Sequence, residues 1–300
     1  MEPMATADAS GVDRVLHFTI PKSDIRGRLV RIGPVLDLVQ SAHDYPPPVR
    51  ALLAESLVLA ALMGSLLKDQ DSQLTIQAQA EGGIVDMLVC DYRNGELRGY
   101  VRHDPDRLAQ CEAEPTLSDF FGRGYLAVTF DLAATGQRYQ GIVPLEGESL
   151  ADACQAYFVQ SEQVPTLIKM ATTVSGANCV GAGMLIQHLP DGEEGRERLH
   201  AQMDHPHWEH IAILSQTLKA EELTDLALMP TDLIWRLYHD EGEVRFAQDD
   251  ALTRGCRCSE AHYRAILNKF AEADLAEMRD EQGAIMIDCA FCSKLFPIFA

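Results

Sequence analysis

Positive charge is scarce in this chain. Its 25 Lys and Arg residues stand against 45 Asp and Glu, a net charge of −20, and a field of that sign repels nucleic-acid phosphates and anionic membranes. A long unbroken apolar run is also missing. The most apolar stretch, Val49 to Leu67, is interrupted by Arg50, Glu55, Gly64 and Ser65, so its helical spacing predicts a buried helix rather than a membrane span. Met1 to Asp13 is polar and acidic, with neither the basic nor the apolar region of a secretory signal, and the expected location is the cytoplasm. The glycine pairs Gly82-Gly83 and Gly122-Arg123-Gly124 read as turns between strands and fit no phosphate loop, so no ATP site is visible. Neither nucleic acid nor membrane is expected as a partner, and no catalytic residue stands out.

What is present is the composition of a folded protein: 300 residues, 47% hydrophobic and 23% charged, enough to bury a sizeable core. Leu74 to Ala80 alternates with period two, as does much of Tyr125 to Phe130, and Arg138 to Val143 continues the strand signals. Helices are expected near Val49 to Leu67 and Leu150 to Gln160, the second capped by Ser149 with Asp152 three residues on. Gly181 to Gln187 returns to an extended, close-packed pattern. Without regular βαβ alternation the order points to an α+β fold: a large N-terminal core domain of mixed helices and sheet, a helical linker and a small C-terminal module. The expected boundaries are 1–14 for an N-terminal extension, 15–190 for the core, 191–250 for the linker and 251–300 for the module.

Residues 191–250 carry fifteen Asp or Glu against five Lys or Arg, so a fifth of the chain holds half of the net negative charge. Such a segment is marginally stable on its own. It still shows helical periodicity, with Trp208, Ile211, Leu214 and Leu218 on one face and Leu233, Ile234, Leu237 and Tyr238 following the start signal Pro230-Thr231-Asp232. These faces must pack on something, and the core is the natural candidate. His205, His207 and His210, with His200 nearby, read as solvated and receive no role.

Thiols in the cytoplasm are held reduced, so eight cysteines need another explanation. Cys90, Cys111, Cys154 and Cys179 lie singly and read as small buried hydrophobes. The other four form Cys256-Arg257-Cys258 and, after thirty intervening residues, Cys289-Ala290-Phe291-Cys292. Two close thiol pairs supply the four soft ligands that one tetrahedral zinc ion prefers. The C-x-C arm departs from the usual C-x-x-C and places its sulfurs where oxidation could join them. The stretch from Cys256 to Ala300 has few apolar residues (Ile266, Leu267, Phe270, Leu275, Ile285, Ile287, Phe291 and Phe296), and so short a module usually needs its metal to fold, structural zinc contributing roughly 10 to 16 kcal/mol. Oxidation of the ligands would therefore unfold it. A permanently structural zinc site and thiol–disulfide catalysis by Cys289 and Cys292 are the alternatives. A hydrolytic zinc enzyme is disfavoured because four thiolates leave no open position for water.

These motifs carry a resemblance. His43-Asp44-Tyr45-Pro46, Arg138-Tyr139-Gln140-Gly141, Tyr157-Phe158 with Ser161-Glu162-Gln163 and Pro165-Thr166, Gly183-Met184-Leu185 with Gln187, Glu221-Glu222-Leu223, Leu233 to His239 and the two cysteine pairs resemble the bacterial heat shock protein 33 family of redox-regulated chaperones, from about Val15 onward. The resemblance implies a zinc-bound reduced form with little activity and an oxidised form that binds unfolding proteins without ATP, preventing their aggregation under oxidative stress. It implies disulfides Cys256–Cys258 and Cys289–Cys292, expulsion of zinc, an unfolded linker, a homodimer when oxidised and a monomer when reduced. It implies no enzyme activity.

Overall fold

The computed structural model describes residues 11–111, 114–189, 205–247 and 250–299. Part of the acidic stretch, His200 and most of the expected N-terminal extension lie outside them. In chain order the first half holds β1 (Arg14–Ile20), β2 (Ile25–Ile32), α1 (Pro34–Gln40), α2 (Pro47–Gly64), β3 (Gln73–Glu81), β4 (Val85–Arg93), β5 (Glu96–His103), α3 (Pro105–Ala109), α4 (Leu117–Phe121), β6 (Arg123–Leu132) and β7 (Gln137–Pro144). There follow α5 (Leu150–Tyr157), β8 (Thr166–Ser175), β9 (Asn178–His188), α6 (Pro206–Gln216), α7 (Ala220–Thr224) and α8 (Pro230–Tyr238). The chain ends with β10 (Arg245–Phe246), β11 (Asp250–Ala251), β12 (Thr253–Arg254), α9 (Glu260–Leu267), α10 (Glu272–Met278), β13 (Ile285–Asp288) and β14 (Leu295–Ile298).

Two six-stranded sheets enclose α2. The first runs β10-β1-β2-β9-β8, with β11 also on β1, and the second runs β12-β5-β4-β3-β6-β7. Ladders are antiparallel except where β12 joins β5. The sequence-predicted apolar helix is α2: 72% of it is buried, and it packs against strands of both sheets. Its length and composition would also suit a membrane span, but its apolar surface is spent on this core. Close approach is possible because β9 presents Gly181 and Gly183 to it, where a Cβ would come within 2.8 Å of the Val58 side chain. At α5 the expected cap is present: the Ser149 side chain accepts the Asp152 N–H while Asp152 accepts from the Ser149 backbone. Within the stretch expected to be an extension, Asp13 Oδ1 accepts the Gly33 N–H at 2.9 Å and starts α1.

The first sheet is buried on both sides, as its period-two pattern allows. Val30, Ile32 and Leu185 face α2. Leu16, Phe18, Ile20, Leu29, Met184 and Ile186 face outward, where Trp208, Ile211, Leu218, Leu223, Leu233, Ile234 and Tyr238 of the linker cover them. Polar contacts fix this cover. Arg31, fully buried in β2, donates to the backbone carbonyls of Leu223 (2.7 Å), Glu222 (2.9 Å) and Leu228. Lys169 donates to the Gln216 and Leu218 carbonyls at the end of α6, and the Ser215 and Tyr238 hydroxyls lie 2.7 Å apart inside the interface.

Candidate metal centre

Beyond β12 the described chain builds a small core of its own from Leu267, Leu275, Ile285, Cys289, Phe296 and Ile298. Ile266 and Phe270 are exposed instead, so the buried apolar surface is less than the residue count suggested. Such a core is too small to hold a module without a further restraint.

That restraint can come from the thiols. Cys256 and Cys258 sit in an extended segment that ends at the Ser259 cap of α9. Cys289 and Cys292 sit in the turn of the β13–β14 hairpin, where the Cys292 and Ser293 N–H groups donate to the Cys289 carbonyl and Ser293 takes a positive φ of 53° to close the turn. The four sulfurs lie within 4.8 Å of one another. Cys256 Sγ is 3.3 Å from Cys258 Sγ and 3.7 Å from Cys289 Sγ, and Cys258 Sγ is 3.5 Å from Cys292 Sγ. Zinc–sulfur bonds of about 2.3 Å arranged tetrahedrally give edges of about 3.8 Å, close to these separations, whereas a disulfide needs about 2.0 Å. The cluster is thus four free thiols in a shape that suits one tetrahedral ion. Among the described residues no other group gathers three such ligands.

The thiols are electrostatically unequal. Burial raises the Cys289 thiol, but the Tyr263 hydroxyl and the Phe291 and Cys292 N–H groups donate to its sulfur and bring it down to about 7. Burial and the neighbouring sulfurs raise Cys258, and burial raises Cys292. Sulfurs this close cannot all be thiolates without a cation to offset them.

Cys90, Cys154 and Cys179 are buried and Cys111 half-buried, each away from the cluster. Burial pushes the Cys154 thiol up to about 12, with Glu55 adding to the effect. Cys289 and Cys292 lie in a turn rather than at the helix start where a thioredoxin-type pair sits. Of the histidines expected to be solvated, His207 and His210 are exposed and His205 is half-buried. The His205 ring centroid lies 4.8 Å from that of His188, tilted, and 5.2 Å from that of His207, edge-on. His188 is 1% exposed, and neither of its ring nitrogens has a hydrogen-bond partner. His210 Nε2 lies 2.7 Å from Glu241 Oε1. His188 was not singled out from the sequence, since nothing local marks the end of β9 as buried.

An α+β core with helices laid across one sheet and a four-thiol cluster in a small C-terminal module defines a class of proteins with a candidate metal-binding module. The family model described as "Hsp33 protein" matches residues 13–298. The "33 kDa chaperonin" of Caulobacter vibrioides (strain NA1000 / CB15N) is 37% identical over 294 residues, covering 95% of this chain and 94% of that protein. The protein of the same name from Yersinia pestis (strain Pestoides F) is 34% identical over 286 residues, covering 95% and 92%. The crystal structure of the 33 kDa chaperonin from Thermotoga maritima superposes with a TM-score of 0.76 at 20% identity over 95% of this chain and 94% of that one, which shows the shared fold. The chain belongs to the Hsp33 family of chaperones.

Proposed function

We propose that the protein is a redox-regulated, ATP-independent holdase that binds unfolding proteins and prevents their aggregation under oxidative stress. The observation that carries this reading is the joining of a four-thiol site to a module with almost no core of its own, beside a linker covering an apolar sheet face. In the reduced form Cys256, Cys258, Cys289 and Cys292 would hold one zinc ion. Bound zinc would keep the sulfurs as thiolates and tie the two loops together. Peroxide then takes two electrons from each neighbouring pair: Cys256 and Cys258 form one disulfide, Cys289 and Cys292 the other. For each pair the two thiolates give up two electrons as the S–S bond forms, and the peroxide O–O bond breaks, taking these electrons and two protons from solvent to leave as two waters. Two disulfides offer no thiolate ligands, and a module of six buried residues is then too small to stay folded.

Release of the linker would expose Phe18, Ile20, Leu29, Met184 and Ile186 together with its own apolar face. Such surfaces bind unfolded chains without nucleotide. The division at 15–190, 191–250 and 251–300, a reduced monomer, an oxidised homodimer, cytoplasmic location and the absence of enzyme activity belong to the same proposal.

Zinc content and suppression of aggregation of an unfolding test protein, measured before and after peroxide or hypochlorite, test it. A variant with all four paired cysteines changed to Ser serves as control. Zinc release with a gain in suppression, neither of which the variant shows on oxidation, supports the reading. Retained zinc, or release without gain, reduces the site to a structural one.

A further inference from the structure

The residues enclosed by the two cysteine pairs reach beyond the module, although Phe291 also packs against the module core. They reach the second sheet of the core. Arg257, between Cys256 and Cys258, donates from Nη2 to Gln73 Oε1 at 2.9 Å and to Asp91 Oδ2 at 3.3 Å, with Glu96 at 3.8 Å from Nη1. Phe291, between Cys289 and Cys292, lies 4.0 Å beneath the Arg98 guanidinium and edge-on to Tyr100 at 5.1 Å. Its neighbour Ala290 places its carbonyl 2.9 Å from His43 Nε2, and Ser293 Oγ is 3.2 Å from His43 Nδ1. Main-chain bonds complete the docking: β12 pairs with β5, and the Gly255 N–H donates to the Leu97 carbonyl.

Both loops meet at one carboxylate. Asp91 is 3% exposed and accepts from Thr75 Oγ1 at 2.7 Å, from Arg98 Nε at 2.7 Å and from Arg257. Through Arg257 it holds the C-x-C loop. Through Arg98, whose guanidinium stacks on Phe291, it holds the C-x-x-C loop. Buried charge-assisted bonds of this kind have little freedom to reorient, so they fix each loop on its side of the sulfur cluster.

We infer that Asp91 of the core sheet is a positioning residue for the four-thiol site, setting through Arg257 and Arg98 how firmly the two loops are held around a metal ion. The inference rests on the proposed zinc-bound reduced form and adds a reciprocal link. If docking on Asp91 strengthens metal binding, metal binding strengthens docking by the same factor. Formation of the Cys256–Cys258 disulfide would shorten their 3.3 Å separation to about 2.0 Å and turn Arg257, enclosed between them, away from Asp91 and Gln73. The core would then register the chemical state of sulfurs that it does not touch.

The test uses the full-length reduced protein loaded with zinc, and reads the rate at which a chelating dye captures the metal. Asp91→Asn keeps the shape of the side chain and removes its charge, and release is expected to quicken about tenfold while the urea midpoint of the core stays near that of the parent. Combined with Arg257→Gln, it is expected to give less than the product of the two single effects, because they share the Arg257 contact and only the part that runs through Arg98 is left. Gln73→Ala, which removes an Arg257 contact and a bond to Thr75 Oγ1 but leaves the Asp91 carboxylate in place, is expected to quicken release by a smaller factor and serves if Asp91→Asn destabilises the core. Release at the parent rate in both core variants, or additive effects with Arg257→Gln, overturns the inference and leaves the zinc-switch reading standing. A parent protein that holds no zinc overturns both.

Discussion

Replacing Arg31 by Met should free the linker without touching a cysteine. Arg31 is fully buried on the outward face of β2 and serves three backbone carbonyls of the linker, those of Glu222, Leu223 and Leu228. Burial lowers its basicity and Asp225 opposes this, but guanidinium remains charged at any working pH. A buried acceptor left without its donor costs about 1–3 kcal/mol. Met fills much of the same space on a face already lined by Leu29 and Ile234 and removes the cost of burying a charge, which offsets part of the loss. A net weakening of linker docking by about 3 kcal/mol follows, equivalent to a roughly 100-fold rise in the open population. Hydrogen exchange of amides in 206–238, compared with those of β3 and β4, reads this directly while a dye assay confirms that zinc stays bound. The reduced variant should also suppress aggregation more than the parent does. Unchanged linker protection would refute the assigned role of Arg31, and equal loss of protection in β3 and β4 would show that Arg31 supports the core rather than the linker.

Acid should weaken the same interface through His188. Burial lowers its basicity, His205 and His207 lower it further and Asp24 opposes them, so the docked state favours the neutral ring and binds fewer protons than the released state. Docking should therefore hold above about pH 6.5 and weaken as pH falls below it, by up to about tenfold per unit, until the ring also protonates in the docked state. Exchange of linker amides at pH 7.5 and 5.5, corrected for intrinsic rates, measures this, and a slope that persists in His188→Phe would assign it elsewhere. Cys90 and Cys154, fully buried with thiols raised by desolvation, should resist alkylation at pH 8 until the core unfolds; rapid labelling of the folded chain would contradict their burial. Ile298→Ala removes one of six residues that form the module core and should cost about 2–5 kcal/mol. Because folding and metal binding are linked, zinc affinity in a chelator competition should drop at least tenfold, and an unchanged affinity would show that the module folds without help from this core.

Features set by neighbours in the chain could be read from the sequence. The Ser149 and Asp152 cap, the alternation of Leu74 to Ala80 and the two thiol pairs each depend on residues a few positions apart. What escaped depends on distant partners. β2 pairs with β9 across more than 150 residues, and only that pairing makes Arg31 a buried residue facing the linker. Phe291 was read as part of the module's apolar content, and it does pack against the module core, but its type alone does not say that Arg98 and Tyr100 of the second sheet also cover it. His205 looked solvated because His188, the ring it lies against, is seventeen positions earlier and follows no local signal. Within the linker the apolar faces were correct, yet Leu218 lies past the end of α6, where the Lys169 ammonium binds the last carbonyls.

The same long-range pairing explains how a few sulfurs could control a large surface. In the proposed switch, no cysteine of the site contributes to the apolar interface between sheet and linker. The link runs through the order of the chain: the linker is held at one end by β9 and at the other by β10 and β11 on β1, and β12 on β5 follows directly before Cys256. While the module is docked, these short strands keep the linker's C-terminal end against the core, and opening it requires breaking the Arg31, Lys169 and Tyr238 contacts together. Once the module unfolds, its docking contacts on β5 are lost, and the same contacts must hold a segment tethered firmly only at β9. Strands of two residues cannot supply that restraint on their own. Energy for exposing the apolar faces would thus come from thiol oxidation and loss of the metal, and on the proposed reading no nucleotide would be needed.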